Sequence, residues 1–317
     1  MNVCDVFDLF RGEAPLTEDD RLDFLSYVDA CGTDDSDLMA TAGLTLSLIE
    51  NGWNEDKFRL LLEAIHHKTD EELQDRLYAG VLLTMIVYDE QIRQSPTLLE
   101  SVQDALTCDA ELSFTVLCDI ARTTQVPRVE MCNQKLASEL VPFIQEHGSD
   151  DVYSVLRKYR SEMEHIAALH LDQNFAFFKD AYKTPFFMDR AAHWLLPWRD
   201  DALSSMNEED REELKELLDA WAMCDSDRYA VCRIYKLLHN MLKNNVHMES
   251  LKEMGVMKNT YEIAANGYVQ QLYRFFRLSP FTQAKPFEKA RRMREMVVYR
   301  LVVVGAESQE MISELLG

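Results

Sequence analysis

The sequence predicts an all-α protein, and three observations carry that expectation. Only ten glycines and eight prolines punctuate 317 residues. A β-sandwich or barrel needs turn residues about every ten positions, so punctuation this sparse suits long helices on short loops. Apolar residues recur at helical spacing through most of the chain. Finally, Ala42-Gly43-Leu44 recurs as Ala79-Gly80-Val81, 37 residues later, each inside a helical pattern and each followed by a turn and a shorter amphipathic helix. Pairs of helices repeating about every 35–47 residues mark HEAT-like or tetratricopeptide-like arrays. The expected architecture is therefore an α-solenoid over residues 1–148, with longer, less regular helices over 149–317. Glycine inside a helix costs about 1 kcal/mol against alanine, so two in register imply close helix–helix approach.

Taken in order, Thr17 and the carboxylates at 18–20 open a helix over 16–30 with Leu22, Leu25 and Val28 on one face, closed by Cys31-Gly32. A second covers 34–50, with Leu38, Ala42, Thr45 and Leu46 inward and Asn51-Gly52 as its stop. Asn54 caps a third, bearing Phe58, Leu61, Leu62 and Ile65. Thr69 and Glu72 start a fourth that runs to about Gln94. Helices follow over 96–106, 110–122 and 127–147, the last kinked at Pro142. Residues 149–182 read as one long helix, with Val152, Val155, Leu156, Tyr159, Met163, Ile166 and His170 on its apolar face. Beyond an acidic, exposed segment at 207–222, helices are expected over 225–243, 259–278 and 286–303. The final one ends in the strand-like VVYRLVVV.

The densest stretch is Phe175–Trp198, with eight aromatics and two prolines in twenty-four residues. Aromatic rings bury large apolar areas, so this stretch is the expected hub for neighbouring helices. Within it Phe187, His193, Trp194 and Trp198 are the candidate binding residues: the tryptophans are four apart and could wall a groove for a peptide or an apolar ligand. His193 follows Asp189 by four residues, a spacing at which a carboxylate can poise an imidazole, although a histidine bonded within the hub is the stronger expectation.

The formal charge is −22, with 55 acidic and 33 basic residues. A surface so acidic repels phosphate backbones and anionic lipid, which argues against nucleic-acid or membrane-surface partners. Residues 1–40 hold eleven carboxylates against Arg11 and Arg21. Basic residues collect late, at Lys285, Lys289, Arg291, Arg292 and Arg294, and are expected to neutralise that acid rather than hold phosphate. No window approaches the roughly eighteen apolar residues of a membrane span. Seven cysteines without a CxxC pair, behind an N-terminus that lacks a signal-peptide pattern, point to reduced thiols in the cytoplasm.

No dinucleotide, P-loop, HExxH or GxSxG motif is present, and no cofactor is implied. Two Glu-x-x-His pairs, Glu63/His66 and Glu162/His165, have the spacing of di-iron bundle ligands. Both lie off the apolar faces of their helices, where ligands could not converge, so solvated pairs are expected. Adjacent His66 and His67 point about 100° apart and cannot share an ion. Cys118 and Cys132 read as buried thiols.

The run PFFMDRAAHWLLPW at 185–198, the later YRFFRLSP…PF, and the helix AGVLLTMIVYDEQIRQSPTL at 79–98 resemble a group of large bacterial proteins of unassigned function. In that group an all-helical, HEAT-like N-terminal region precedes tetratricopeptide repeats. The resemblance spans roughly residues 40–290, leaves the acidic first 35 residues unmatched, and brings no catalytic residues. It implies a helical-repeat scaffold within a longer protein. The leading functional expectation is a non-catalytic module that presents a helical surface to a protein or peptide partner. The other is a small-ligand binder or enzyme with a pocket beside the hub at 186–198. A deep pocket beside Trp194, Trp198 and His193 with polar groups converging on it would favour the second; a closed hub and a polar groove elsewhere would favour the first.

Overall fold

A computed structural model describes residues 2–30, 34–67, 69–147, 152–204, 206–220, 223–245 and 264–289, with 310, 312 and 313. It is all-helical, with no strand among the described residues. The expected boundary near 148–150, the strand-like 297–304 and the arginines at 291, 292 and 294 lie outside them.

The acidic N-terminal stretch is helical. Asn2 Oδ1 accepts the Cys4 amide and opens α1 (Val3–Arg11), which buries Cys4, Val6, Phe7 and Phe10. In α2 (Glu18–Ala30) Thr17 and Asp20 exchange cap bonds, Thr17 N to Asp20 at 2.8 Å and Asp20 N to Thr17 Oγ1 at 3.1 Å. Its buried face is Phe24 and Val28, whereas Leu22, expected on that face, is 57% exposed. Next, α3 (Ser36–Asn51) is buried on every side, α4 (Glu55–Ile65) is capped by Asn54, and α5 (Glu71–Arg93) is capped by Asp70. Then come α6 (Pro96–Cys108), α7 (Ala110–Thr123), α8 (Val126–His147) and α9 (Val152–Ala168).

The long helix expected over 149–182 stops at Ala168. His170 takes a left-handed φ of 54°, and Asp172 then accepts the amides of Asn174 and Phe175 at 3.0 and 3.3 Å. Short pieces replace it: α10 (Asn174–Phe178), a 3₁₀ turn at Ala181–Lys183, α11 (Pro185–Asp189) and 3₁₀ turns at Ala191–Trp194 and Asp200–Leu203. The segment expected to be merely exposed is α12 (Glu208–Ala220), an amphipathic helix that buries Leu214 and Leu218. α13 (Asp225–Asn245) and α14 (Ala264–Leu278) follow, and a 3₁₀ turn at Pro286–Lys289 closes the described chain.

α5 is the axis. It packs against α3, α4, α6 and α7, a succession of sequential pairs, and also against α14 from the far end of the chain. α14 bridges α5 and α7, a long-range closure that a stack of nearest-neighbour pairs lacks. One apolar cluster runs from Cys4 to Ile312 across both halves. Among the described residues the N-terminal acids meet the hub: Arg190 bonds Asp5 and Asp8, and Arg199 bonds Asp35. Lys285 pairs locally with Glu288.

Deep in the second half, Arg274 of α14 is fully buried between two aspartates. Its Nε and Nη2 donate to Asp227 of α13 at 2.8 and 2.7 Å. Nη1 and Nη2 donate to Asp172 at 2.8 and 3.2 Å, and Nη1 also reaches the Gln270 carbonyl at 3.2 Å. The Tyr182 hydroxyl donates to Asp227 at 2.8 Å. Burial raises the Asp227 pKa, opposed by the attraction of Arg274, which itself is held charged by the two carboxylates.

The paired glycines sit at close approaches. A Cβ on Gly43 would lie 2.4 Å from the Phe7 carbonyl oxygen of α1, and one on Gly80 would lie 2.4 Å from Thr45 Oγ1 of α3. Backbone cannot yield as a side chain can. Gly43→Ala is expected to destabilise by about 1–3 kcal/mol or more, and Gly80→Ala by less, because Thr45 can rotate. Chemical denaturation of the two variants checks the order; equal or reversed losses would contradict the close α1–α3 approach.

Candidate functional site

The hub is closed at its centre. Trp194 is fully buried, stacked on Tyr182 at 5.0 Å and packed on Phe187, and its Nε1 donates to the Phe187 carbonyl at 2.8 Å. Phe187 is fully buried as well. His193 lies parallel to Phe186 with ring centroids 4.5 Å apart, and its Nδ1 is 2.7 Å from the Phe186 carbonyl. A carbonyl only accepts, so Nδ1 carries a proton. Among the described residues no hydrogen bond joins His193 to Asp189. These three residues build the core of the hub, and Trp198 lies at its edge.

Trp198 faces a cavity of about 510 Å³. Four elements make its walls. The first turns of α5 bring Asp70, Glu71, Glu72, Asp75 and Arg76. The end of the hub brings Trp198 and Arg199; Met223, Cys224, Asp225 and Arg228 come from the start of α13; Gly267 and Tyr268 come from α14. Helix starts place these residues together because cap-region acids are favoured at helix N-termini, where unpaired amides and the helix dipole attract negative charge.

Arg76 is 1% exposed. Its Nη1 donates to the Leu195 carbonyl at 3.0 Å and its guanidinium lies 4.6 Å from the Tyr268 ring centre. Glu72 and Asp225 stand at 3.7 and 4.0 Å from Nη2, attractive but beyond hydrogen-bond distance. Among the described residues Nε has no hydrogen-bond partner, and neither do Asp75 Oδ2, the Tyr268 hydroxyl or Arg228 Nε. Each of these four atoms belongs to a residue lining the cavity but is itself sealed from water, behind the wall rather than on it. Buried polar groups are almost always bonded, so four together are a concentration of unmet bonding capacity.

Burial pushes the Asp75 carboxyl up to about 7, helped by repulsion from Glu71, Asp119 and Glu72 and opposed by Arg76. Burial likewise lifts the Tyr268 phenol to about 12, so it stays a neutral donor at physiological pH. The Cys224 thiol, which Ser226 bonds at 3.4 Å, is driven far upward by burial and is no nucleophile. Asp75 is thus the group of this wall whose charge changes near neutral pH.

The Glu-x-x-His pairs do not assemble. Glu63 bonds Arg21 and Glu162 bonds Arg128, each through both carboxylate oxygens. Among the described residues no group of three His, Cys, Asp or Glu side chains could hold a metal ion. Of the cavity residues the sequence marked only Trp198. Asp75 and Arg76 head a helix whose next eleven residues, Leu77 to Val87, are all buried, but no local sequence feature marks the pair itself. No family model matches this chain, and neither a curated protein nor a solved structure does.

Two outcomes follow for stability. Trp194→Ala is expected to cost about 3–5 kcal/mol in denaturant melts, as for any buried tryptophan. A fully stable variant would show that the hub is not core. For Asp75, a carboxyl raised by folding stabilises fully below its unfolded value of 3.8 and loses that contribution as pH rises through about 7. Asp75→Asn should therefore match wild type near pH 4 and melt several degrees higher above about pH 8. Calorimetry across that range checks the sign. A constant difference would contradict the raised carboxyl.

Proposed function

We propose that this protein binds a small polar ligand in the cavity between the start of α5, Trp198, the start of α13 and α14. The observation that carries this reading is the cavity itself, about 510 Å³, whose lining brings Trp198 and Tyr268 together with Asp75, Arg76, Asp225 and Arg228. The volume lies within the usual range for small-molecule sites. Trp198 supplies an aromatic wall, in keeping with a pocket beside the hub. The cysteine pattern and the acid excess support a cytoplasmic setting without nucleic-acid partners.

A second reading has its own support. Gly43 and Gly80 both stand at close helix contacts, as recurring helix pairs would require. On that basis the first half is a HEAT- or tetratricopeptide-like scaffold for a protein or peptide, in line with the bacterial family that its motifs resemble.

Native mass spectrometry of the chain purified from its own cells separates the two. Retention of a small molecule by wild type, lost from Asp75→Asn and Tyr268→Phe, is the expected result. Bare wild type, with no thermal shift across a library of polar metabolites, would overturn the ligand reading.

A further inference from the structure

Among the described cysteines, Cys4, Cys118, Cys132 and Cys224 are buried and Cys232 is half-buried. Cys108, the last residue of α6, is exposed. It has two chemical neighbours. His66, the C-terminal cap of α4, brings its Nδ1 to 3.4 Å from the Cys108 Sγ. Asp104, one turn earlier on α6, faces the other nitrogen of the same ring, its Oδ2 lying 3.6 Å from Nε2. Thiol, imidazole and carboxylate thus follow one another across the packed pair α4 and α6.

The thiol hydrogen has two acceptors, Nδ1 and the Asp104 carbonyl, both at 3.4 Å. When it points to Nδ1, the proton of the neutral ring sits on Nε2 and faces the Asp104 carboxylate. In that tautomer an imidazole can take a thiol proton while a carboxylate steadies the cation that results. Without the transfer Cys108 is a poor nucleophile, since burial and Asp104 push its pKa up and it lies at the negative end of the α6 dipole. His66 reverses this, because an imidazolium formed beside the sulfur offsets the carboxylate. The other groups nearby are engaged elsewhere. Tyr78 of α5 donates to the Ala105 carbonyl and accepts the Asp109 amide, Asp109 bonds the Leu112 amide, and His67 is held by Asp29 of α2 at 2.6 Å.

We propose that Cys108 is a site of reversible S-thiolation by a low-molecular-weight disulfide of the glutathione class, with His66 as the base that takes its proton. Sγ attacks one sulfur of the disulfide; a new S–S bond forms to Cys108 and the original S–S bond breaks. Cys108 is oxidised to the mixed disulfide. The departing half is reduced to a thiolate, which collects the proton from His66. Attack by a second small thiol reverses the exchange.

Timed incubation of the whole folded chain with oxidised glutathione, followed by peptide mass mapping, tests this. The mixed disulfide is expected at Cys108, with the four buried cysteines unmodified. An unassisted thiol of raised pKa reacts about tenfold faster per pH unit, in step with its thiolate fraction. Between about pH 6 and 9 the wild-type rate should climb less steeply, because His66 supplies the base. His66→Gln should slow the reaction by about tenfold or more at pH 7 and restore the steep climb, so that the two proteins converge toward about pH 10. If the variant also labels its buried cysteines it has unfolded, and the wild-type slope alone decides. A Cys108 that stays unmodified overturns the site. A His66→Gln rate equal to wild type at pH 7, or a wild-type rate that already climbs about tenfold per unit, overturns the role of His66.

Discussion

A guanidinium taken out of water needs an acceptor for each of its five N–H groups and a partner for its charge. Arg274 has both. Two carboxylates and one carbonyl take all five of its hydrogens, and the two carboxylates come from positions 102 and 47 residues away in sequence. Such a buried arrangement contributes little net stability against an apolar replacement, but loss of one partner is severe because it strands the others. What the arrangement supplies is position. It fixes the start of α13 to α14 and to the turn before α10, and the Tyr182 bond to Asp227 ties in the hub. The cavity walls are the immediate neighbours of these groups: Asp225 and Arg228 flank Asp227, and Tyr268 lies on the same helix as Arg274.

Arg76 is the informative contrast. It is as buried as Arg274, on a neighbouring helix, yet it makes one hydrogen bond where Arg274 makes five. The chain satisfies one buried guanidinium completely and, among the described residues, leaves Nε of the other without a partner. A fold that can satisfy Arg274 has the means to cover Arg76 as well, and the residues it places there instead carry unmet groups of their own.

Much of the helical frame was legible because local chemistry decides it. Asn54 caps α4 as its sequence suggests; α5 is capped by Asp70, one residue beyond the expected Thr69, and Ser95 and Asp109 cap α6 and α7, each within three residues of the amide it satisfies. Where tertiary partners decide, the sequence was silent. The end of α9 is made at His170, expected as one more position of an apolar face, which instead turns left-handed while the Leu171 amide bonds back to the Ile166 carbonyl. α1 is short and acidic, and becomes a core helix only because Gly43 lets it approach α3. Trp198 could be marked from aromatic density alone. Asp75, Arg76 and Arg228 look like ordinary surface charges until α13 and α14 fold over them, because nothing local distinguishes a solvated arginine from a buried one.

Asp75 shows why such a site persists. Burial and three neighbouring carboxylates hold its pKa near neutrality, so folding loses free energy whenever the group ionises. An asparagine or a leucine at that position would remove the penalty. Residues that lower stability without a structural return concentrate where a protein works, since the energy withheld from folding is available to a bound partner. Asp119, also buried and raised to about 6, differs in kind: Arg122 bonds one of its oxygens at 2.6 Å on the same helix, so its strain is partly relieved inside the protein. Among the described residues Asp75 has no such bond. Its relief is to keep its proton, which burial and the neighbouring carboxylates favour up to about pH 7.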